Sequence, residues 1–251
     1  MIQYWIDSLA KEIQYSQEIE NQHIILPNEL EKSGVFFDTL QISHNRIKKL
    51  HQFVTKSETP TDYRKGEIKV SRLTQGMEEE IFWYGVQSED LKQFLNDFIK
   101  IYKNSSLAFI NSNPFLKSAL MHLLFVRIHP FTDGNGRTAR MIHNIKFTES
   151  INKIYGMNLK ICPLNLSLSI LVNKPTYAKR INNIYFDLEH DCNEELNLWF
   201  DFVLNMIDEQ IYYNNNRITR LDKSLKNLES LKQTDKSDIH KKIKQMKIMI
   251  P

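Results

Sequence analysis

From Phe115 to Arg127 the chain is apolar nearly all round at helical spacing, with Phe115, Leu116, Ala119, Leu120, Leu123, Leu124, Phe125 and Val126 leaving no polar face. Such a helix has no side to offer water, so it belongs at the centre of a bundle and the remaining elements must be built around it. Asn113 is a good N-cap and Pro114 a good first-turn residue, and together they mark its start. His129-Pro130 marks its end, because the residue before a proline is disfavoured in the α region, which sets the imidazole on a turn.

The run that follows, from His129 to Arg140, concentrates a base, an acid, two glycines and two arginines in one short stretch. An imidazole titrates near pH ~6.5, so His129 has a neutral fraction able to take a proton from an attacking hydroxyl. Gly134 and Gly136 flank Asn135 where backbone amides can turn together toward an anion. The spacing predicts a helix from Arg137 onward, whose first N–H groups and positive dipole end face the same anion. Arg137 and Arg140, three apart on one helical face, form a fork for phosphate oxygens. Asp133 is a hard oxygen ligand suited to Mg²⁺, which uses one or two carboxylates together with substrate phosphates. Phe131, between base and acid, reads as a core anchor for the loop.

Each residue taken singly also fits an ordinary Asp-Gly-Asn-Gly turn with a loop histidine and solvated arginines. An acid, a base, a glycine nest and a guanidinium fork side by side argue instead for a site that handles phosphate.

These residues resemble the signature of Fic-domain proteins, His-Pro-Phe-x-Asp/Glu-Gly-Asn-Gly-Arg-x-x-Arg, and every specified position is filled. The resemblance implies a protein adenylyltransferase, a nucleotidyltransferase that moves AMP from ATP to a hydroxyl side chain of a target protein. His129 would then be the base, Asp133 the Mg²⁺ ligand, Gly134, Asn135 and Gly136 the anion hole, and Arg137 and Arg140 the clamp on the triphosphate. The implied fold is all-α, a Fic-type helical bundle with a small β-hairpin flap.

A second region lies far upstream. Ile2, Ile6, Leu9 and Ile13 form the stripe of an amphipathic helix, and continuing the same alternation lands on Ser16 and Glu20. Ser16-Gln17-Glu18-Ile19-Glu20-Asn21 resembles the inhibitory motif of many Fic proteins, Ser/Thr-x-x-x-Glu-Gly/Asn. By that resemblance Glu20 pairs with Arg140 and occupies the fork meant for the γ-phosphate. The plain alternative is a helix end fraying into water at Asn21. Two other functions are weighed: removal of AMP at the same site with Glu20 orienting a water, and a non-enzymatic protein-binding module.

Ile68 and Val70, then Ile81-Phe82-Trp83-Tyr84 after a turn-rich stretch with Gly76, predict a short β-hairpin with an exposed edge. It resembles the Fic flap, which makes Ile81, Phe82 and Trp83 candidates for docking an extended target segment by strand addition. Tyr177, followed by Asn182 and Asn183, is the match for a tyrosine beside the nucleotide base, after an insertion around Tyr155 to Leu171.

With 251 residues, 41% of them hydrophobic and 25% charged, the chain can bury a substantial core. The net charge of +3 is too small to imply nucleic acid. Cys162 and Cys192 show no zinc spacing and suit a reducing compartment. No apolar run approaches the ~18 residues of a membrane span, and no leader pattern opens the chain, so the expected location is cytoplasmic, without a membrane partner. Leu91 to Tyr102, Leu196 to Tyr212 and, more weakly, Leu40 to Phe53 show helical spacing, and Lys56 to Asp62 reads as a linker. The expected organisation is an N-terminal helical region (1–55) carrying the inhibitory helix, a catalytic core (56–212) and a Lys-rich C-terminal extension (213–251). Leu221, Leu225, Leu228 and Leu231 make that extension a solvated helix, a truncated connection or a dimer helix for a homo-oligomer.

Overall fold

A computed structural model describes residues 42–59, 61–73, 79–103, 114–159, 162, 164, 166–184 and 193–231. Ser16, Glu20 and Asn21, with the apolar stripe before them, lie outside the described residues, as do Gly76, Asn113 and Cys192. The described chain is mostly helical with one two-stranded sheet: α1 His44–Thr55, β1 Lys69–Leu73, β2 Glu79–Tyr84, α2 Leu91–Lys103, α3 Pro114–Ile128, α4 Asn135–Tyr155, α5 Leu166–Val172, α6 Lys174–Asn182 and α7 Asn193–Leu231. It divides into two compact units, the first ending at Ile207 and the second beginning at Asp208. Among the described residues the second unit is the continuation of α7, so the predicted helix around Leu196 to Tyr212 and the leucine-spaced stretch after it are one element.

In the first unit α3 is the central helix that its sequence requires. Ala119, Met121, Leu123 and Phe125 have no exposed surface. α1 packs with a stripe of Ile47, Leu50, His51 and Val54, and α2 with Leu91, Leu95, Phe98 and Tyr102, each at the 3–4 spacing of a helix face turned to the core. Phe98 meets Phe125 edge to face at 5.6 Å. On α7, Trp199 is fully buried and its indole N–H donates to the Ala119 carbonyl at 3.0 Å, which satisfies the one polar atom of that ring.

α1 starts where Ser43 accepts a hydrogen bond from the Arg46 amide through its hydroxyl, and it stops at Lys56, in the left-handed region with φ 54°. α4 begins two residues before the expected Arg137. Gly134, at φ 75°, is its N-cap, so Asn135 and Gly136 belong to the first turn. Its far end is closed by Gly156 at φ 62°.

As far as Ser150, α4 is largely buried although it carries many polar residues, which amphipathic periodicity does not anticipate. Hydroxyls resolve part of this: Thr138, Thr148 and Ser150 each donate to the carbonyl four residues back at 2.8 Å. Lys146 reaches the Tyr102 carbonyl at 3.2 Å and Glu149 at 2.9 Å.

The hairpin is antiparallel, pairing Lys69 with Tyr84 and Leu73 with Glu79, with a bulge at Val70/Ser71. Ile68 precedes the first strand and receives the Gly85 amide at its carbonyl, 3.0 Å away. The predicted insertion around Tyr155 to Leu171 contains α5, whose Leu166 and Ile170 join the core. No helix among the described residues is long and apolar enough to cross a membrane.

His122 on α3 and His143 on α4 are both fully buried, their rings 5.8 Å apart. Burial is the leading cause that lowers both, carrying His143 to about 4 and His122 well below its ordinary value, the latter helped by His143 and Arg140. The unfolded chain takes up these protons near pH ~6.5 while the folded imidazoles stay neutral, so stability rises with pH through this range. Unfolding free energy measured in urea should therefore fall as pH drops from about 6.5 toward 4, by at most about 3 kcal/mol for His143. His143→Gln should flatten that slope.

Candidate active site

The site is built where α3 ends and α4 begins. Helix α3 stops at Ile128, and His129 takes φ 53°, a left-handed conformation that a non-glycine residue holds only when its surroundings impose it. A residue before proline leans toward extended backbone, so this departs from the local preference. The His129 amide donates to the Phe125 carbonyl at 3.1 Å, a helix C-cap bond. Its Nδ1 lies 3.1 Å from the Val126 carbonyl, which can only accept, so Nδ1 carries the proton and Nε2 is the basic nitrogen.

The loop beyond it is braced from within and from α1. Asn135 Oδ1 accepts the Phe131 amide at 2.9 Å and Nδ2 donates to the Phe131 carbonyl at 2.8 Å, so this side chain closes the loop as a backbone mimic. His51 stacks on Phe131 with ring centres 3.7 Å apart and donates from Nε2 to the Asp133 carbonyl at 2.8 Å. Burial pushes the His51 imidazole down, which favours the neutral form that this geometry uses. Gly134 turns the chain in the left-handed region, and its Cα faces Thr55 and His51 with no room for a side chain. The result directs the first-turn amides of Asn135, Gly136 and Arg137, with the positive end of α4, toward one place.

Arg137 is buried, donating to Asp133 Oδ2 at 2.9 Å and to the Val54 carbonyl at 3.4 Å, whereas the Asp133 side chain is 72% exposed. Arg137 thus holds the acid from behind, and the acid presents itself to solvent. No group of three or more metal-ligating side chains occurs among the described residues. A lone exposed carboxylate beside helix amides does fit Mg²⁺ brought with a phosphate chain.

Arg140 is 3% exposed and lines a small buried cavity with His122, His143, Asn144 and Trp199. Tyr177, the residue expected beside a nucleotide base, is buried among core residues. Its hydroxyl shares a 2.9 Å hydrogen bond with His122 and its ring centre lies 6.1 Å from that of Trp199.

The hairpin meets the His129 imidazole. Trp83 stands edge-on to His129 with ring centres 6.3 Å apart, and the Arg127 guanidinium lies 5.0 Å over the Trp83 ring. Ile81 and Phe82 lie on β2 beside it in sequence, and Phe82 is the residue bypassed by the bulged register.

Three contributors escaped the sequence reading. His51 sits within an apolar helical stripe, a signal that reads equally as a core histidine. Arg64 is buried at 7% exposure, with nothing in its sequence neighbours to mark it. At Gly85 a Cβ would lie 2.6 Å from Ile68 Cγ2 and 3.3 Å from His129 Cβ.

With this geometry in place, comparison with known proteins assigns the class. Residues 41–145 match the Fic/DOC family, and the chain contains a Fic domain. A stretch of 108 residues, 42% of this chain, is 32% identical to the protein adenylyltransferase fic-1 of Caenorhabditis elegans and covers 19% of that protein. A shorter stretch of 55 residues is 44% identical to the protein adenylyltransferase Fic of Aedes aegypti, covering 22% of this chain and 11% of that one. The matched region thus spans a fifth or less of these curated relatives. The fold is similar to the crystal structure of a Fic family protein from Desulfovibrio desulfuricans G20, with a TM-score of 0.59 at 14% identity over 83% of this chain and 66% of that one. It is also similar to a Fic domain containing signaling protein from Bacteroides thetaiotaomicron VPI-5482, with a TM-score of 0.57 at 19% identity over 83% and 85% of the two chains.

Gly134→Ala should destabilise the protein by about 2–4 kcal/mol, combining left-handed strain with a clash against the Thr55 methyl. Adding Thr55→Ser removes that methyl and keeps the hydroxyl that bonds the His51 carbonyl at 2.7 Å. The double variant should recover all but about 1 kcal/mol in urea unfolding.

Proposed function

We propose that this chain transfers AMP from ATP to a hydroxyl side chain of a target protein. The observation that carries the reading is the His129 tautomer: Nδ1–H is committed to the Val126 carbonyl, so Nε2 accepts, beside the amide end of α4 and under Trp83. The printed names of the curated relatives, protein adenylyltransferases, point the same way.

In this reading the target oxygen attacks the α-phosphorus in line, its proton passes to His129 Nε2, the bond to the pyrophosphate oxygen breaks, and pyrophosphate leaves. The amides of Asn135, Gly136 and Arg137 stabilise the charge on the phosphates without having to reorganise. Asp133, oriented by Arg137, is the residue that would hold Mg²⁺, which when bound supplies charge neutralisation to the phosphate chain. Trp83 and the β2 edge would set an extended target segment beside His129.

Regulation completes the proposal. Arg140 is a buried guanidinium, and a charge in such a place is stable when paired. Glu20 is the carboxylate assigned to it, which makes the wild-type chain autoinhibited. We place the reaction in the cytoplasm, where ATP and reduced cysteines coexist.

The test uses wild type, Glu20→Gly and Glu20→Gly/His129→Ala with Mg²⁺ and ATP labelled at the α-phosphate, following label on protein over time. Label should be low in wild type, at least tenfold faster in Glu20→Gly, and absent in the double variant. If Glu20→Gly instead retains adduct that wild type removes, the site runs as an AMP-removing enzyme. Label transferred from the γ-phosphate alone refutes nucleotidyl transfer.

A further inference from the structure

Arg64 enters the fold through a set of backbone acceptors that the reaction scheme above does not use. Its Nε donates to the His129 carbonyl at 2.8 Å and Nη1 to the Gly66 carbonyl at 2.8 Å. Nη2 donates to the Val86 carbonyl and, at 3.4 Å, to the Ile128 carbonyl. The Arg64 amide donates to the Pro130 carbonyl at 2.9 Å.

These acceptors fall into two groups. Ile128 ends α3 and His129 follows it, both bound by the guanidinium, whereas Pro130 is held by the Arg64 backbone amide. Gly66 and Val86 stand at the two feet of the flap, just before β1 and just after β2. A planar guanidinium with donors in fixed directions can bind both groups at once, whereas a flexible ammonium with one nitrogen cannot reach them all in line. The carbonyl end of α3 carries the negative pole of the helix dipole, which favours a buried cation there.

His129 needs such a restraint. Its φ of 53° is not what a residue before proline adopts alone, and it is in that conformation of the turn that Nδ1 bonds the Val126 carbonyl. We infer that Arg64 is the positioning residue of this site: by holding the carbonyls on both sides of the imidazole and both feet of the flap, it fixes the direction and tautomer of His129 and its registry with Trp83. The inference rests on the proposed role of His129 as base, and it deepens that role.

The phosphate side has its own braces in His51 and Asn135, so Arg64 should act on the base and leave nucleotide binding alone. Full-length Arg64→Met and Arg64→Lys are compared with wild type, all in the Glu20→Gly background. Three quantities are read: the rate of label transfer from α-labelled ATP, the affinity for Mg²⁺·ATP, and the side-chain ¹⁵N shifts of His129 and His51. Arg64→Met should lower the transfer rate about 100-fold, with nucleotide affinity within twofold of the reference. Its His129 should lose the Nδ1–H tautomer while His51 keeps its Nε2–H form. Arg64→Lys, which retains some donors, should recover about a tenth of the reference rate and part of the tautomer.

Equal losses in rate and nucleotide affinity, or a His51 signal that changes along with His129, would mean a general structural role and overturn the inference. So would a His129 tautomer that survives in Arg64→Met. Should the reference chain transfer no label at all, the proposed function fails, and the tautomer comparison still decides the role of Arg64.

Discussion

The site depends on two buried helix ends of opposite polarity meeting across the His129–Gly134 connection. The C-terminal end of α3 gathers carbonyls and the N-terminal end of α4 gathers amides, and packing α3 against α4 in the core brings the two poles together. An imidazole and the free amides of a helix start are thereby held a few residues apart. Each pole is also completed by a partner from elsewhere: the Arg64 guanidinium at the carbonyl end, and His51 from α1 at the loop leading to the amide end.

Polar groups in the core explain why the arrangement is specific. Burying a polar group favours an arrangement that supplies it with hydrogen bonds, and those that His51, Arg64, Asn135 and Arg137 make to the loop and its flanks restrain its conformation. Burial holds His51, His122 and His143 below the ordinary imidazole range and so favours their neutral forms. Arg137 shows the division of labour: its guanidinium is buried, yet it presents an exposed Asp133 carboxylate to solvent.

Where local sequence and tertiary burial agree, the fold was legible. The apolar run became the central α3, the 3–4 spacing of Leu91, Leu95, Phe98 and Tyr102 became α2, and the paired short β runs became the hairpin. α4 was readable only as a helix and not in its burial, because its hydroxyls bond back to carbonyls one turn earlier rather than to water. Its start was missed by two residues because Gly134 caps it through backbone conformation alone. A tyrosine with asparagines downstream gave no sign that the Tyr177 hydroxyl would meet His122 across the core.

By itself the sequence determined the inventory of the site: a histidine forced off a helix by proline, glycines that permit a tight turn, and an acid and arginines at fixed spacing from them. Those are local properties, set by side-chain chemistry and backbone freedom within a dozen residues. Only the tertiary structure decided which nitrogen of His129 is basic, which way Asp133 faces, and that Arg64 and His51 hold the two ends in place. The Arg64 and His51 contacts join residues 65 and 82 positions apart, and hydrogen bonds across such distances are created by packing, which no periodicity along the chain encodes; the bonds of His129 to Val126 and of Asp133 to Arg137 are local, but the turn that makes them is held by those long-range contacts.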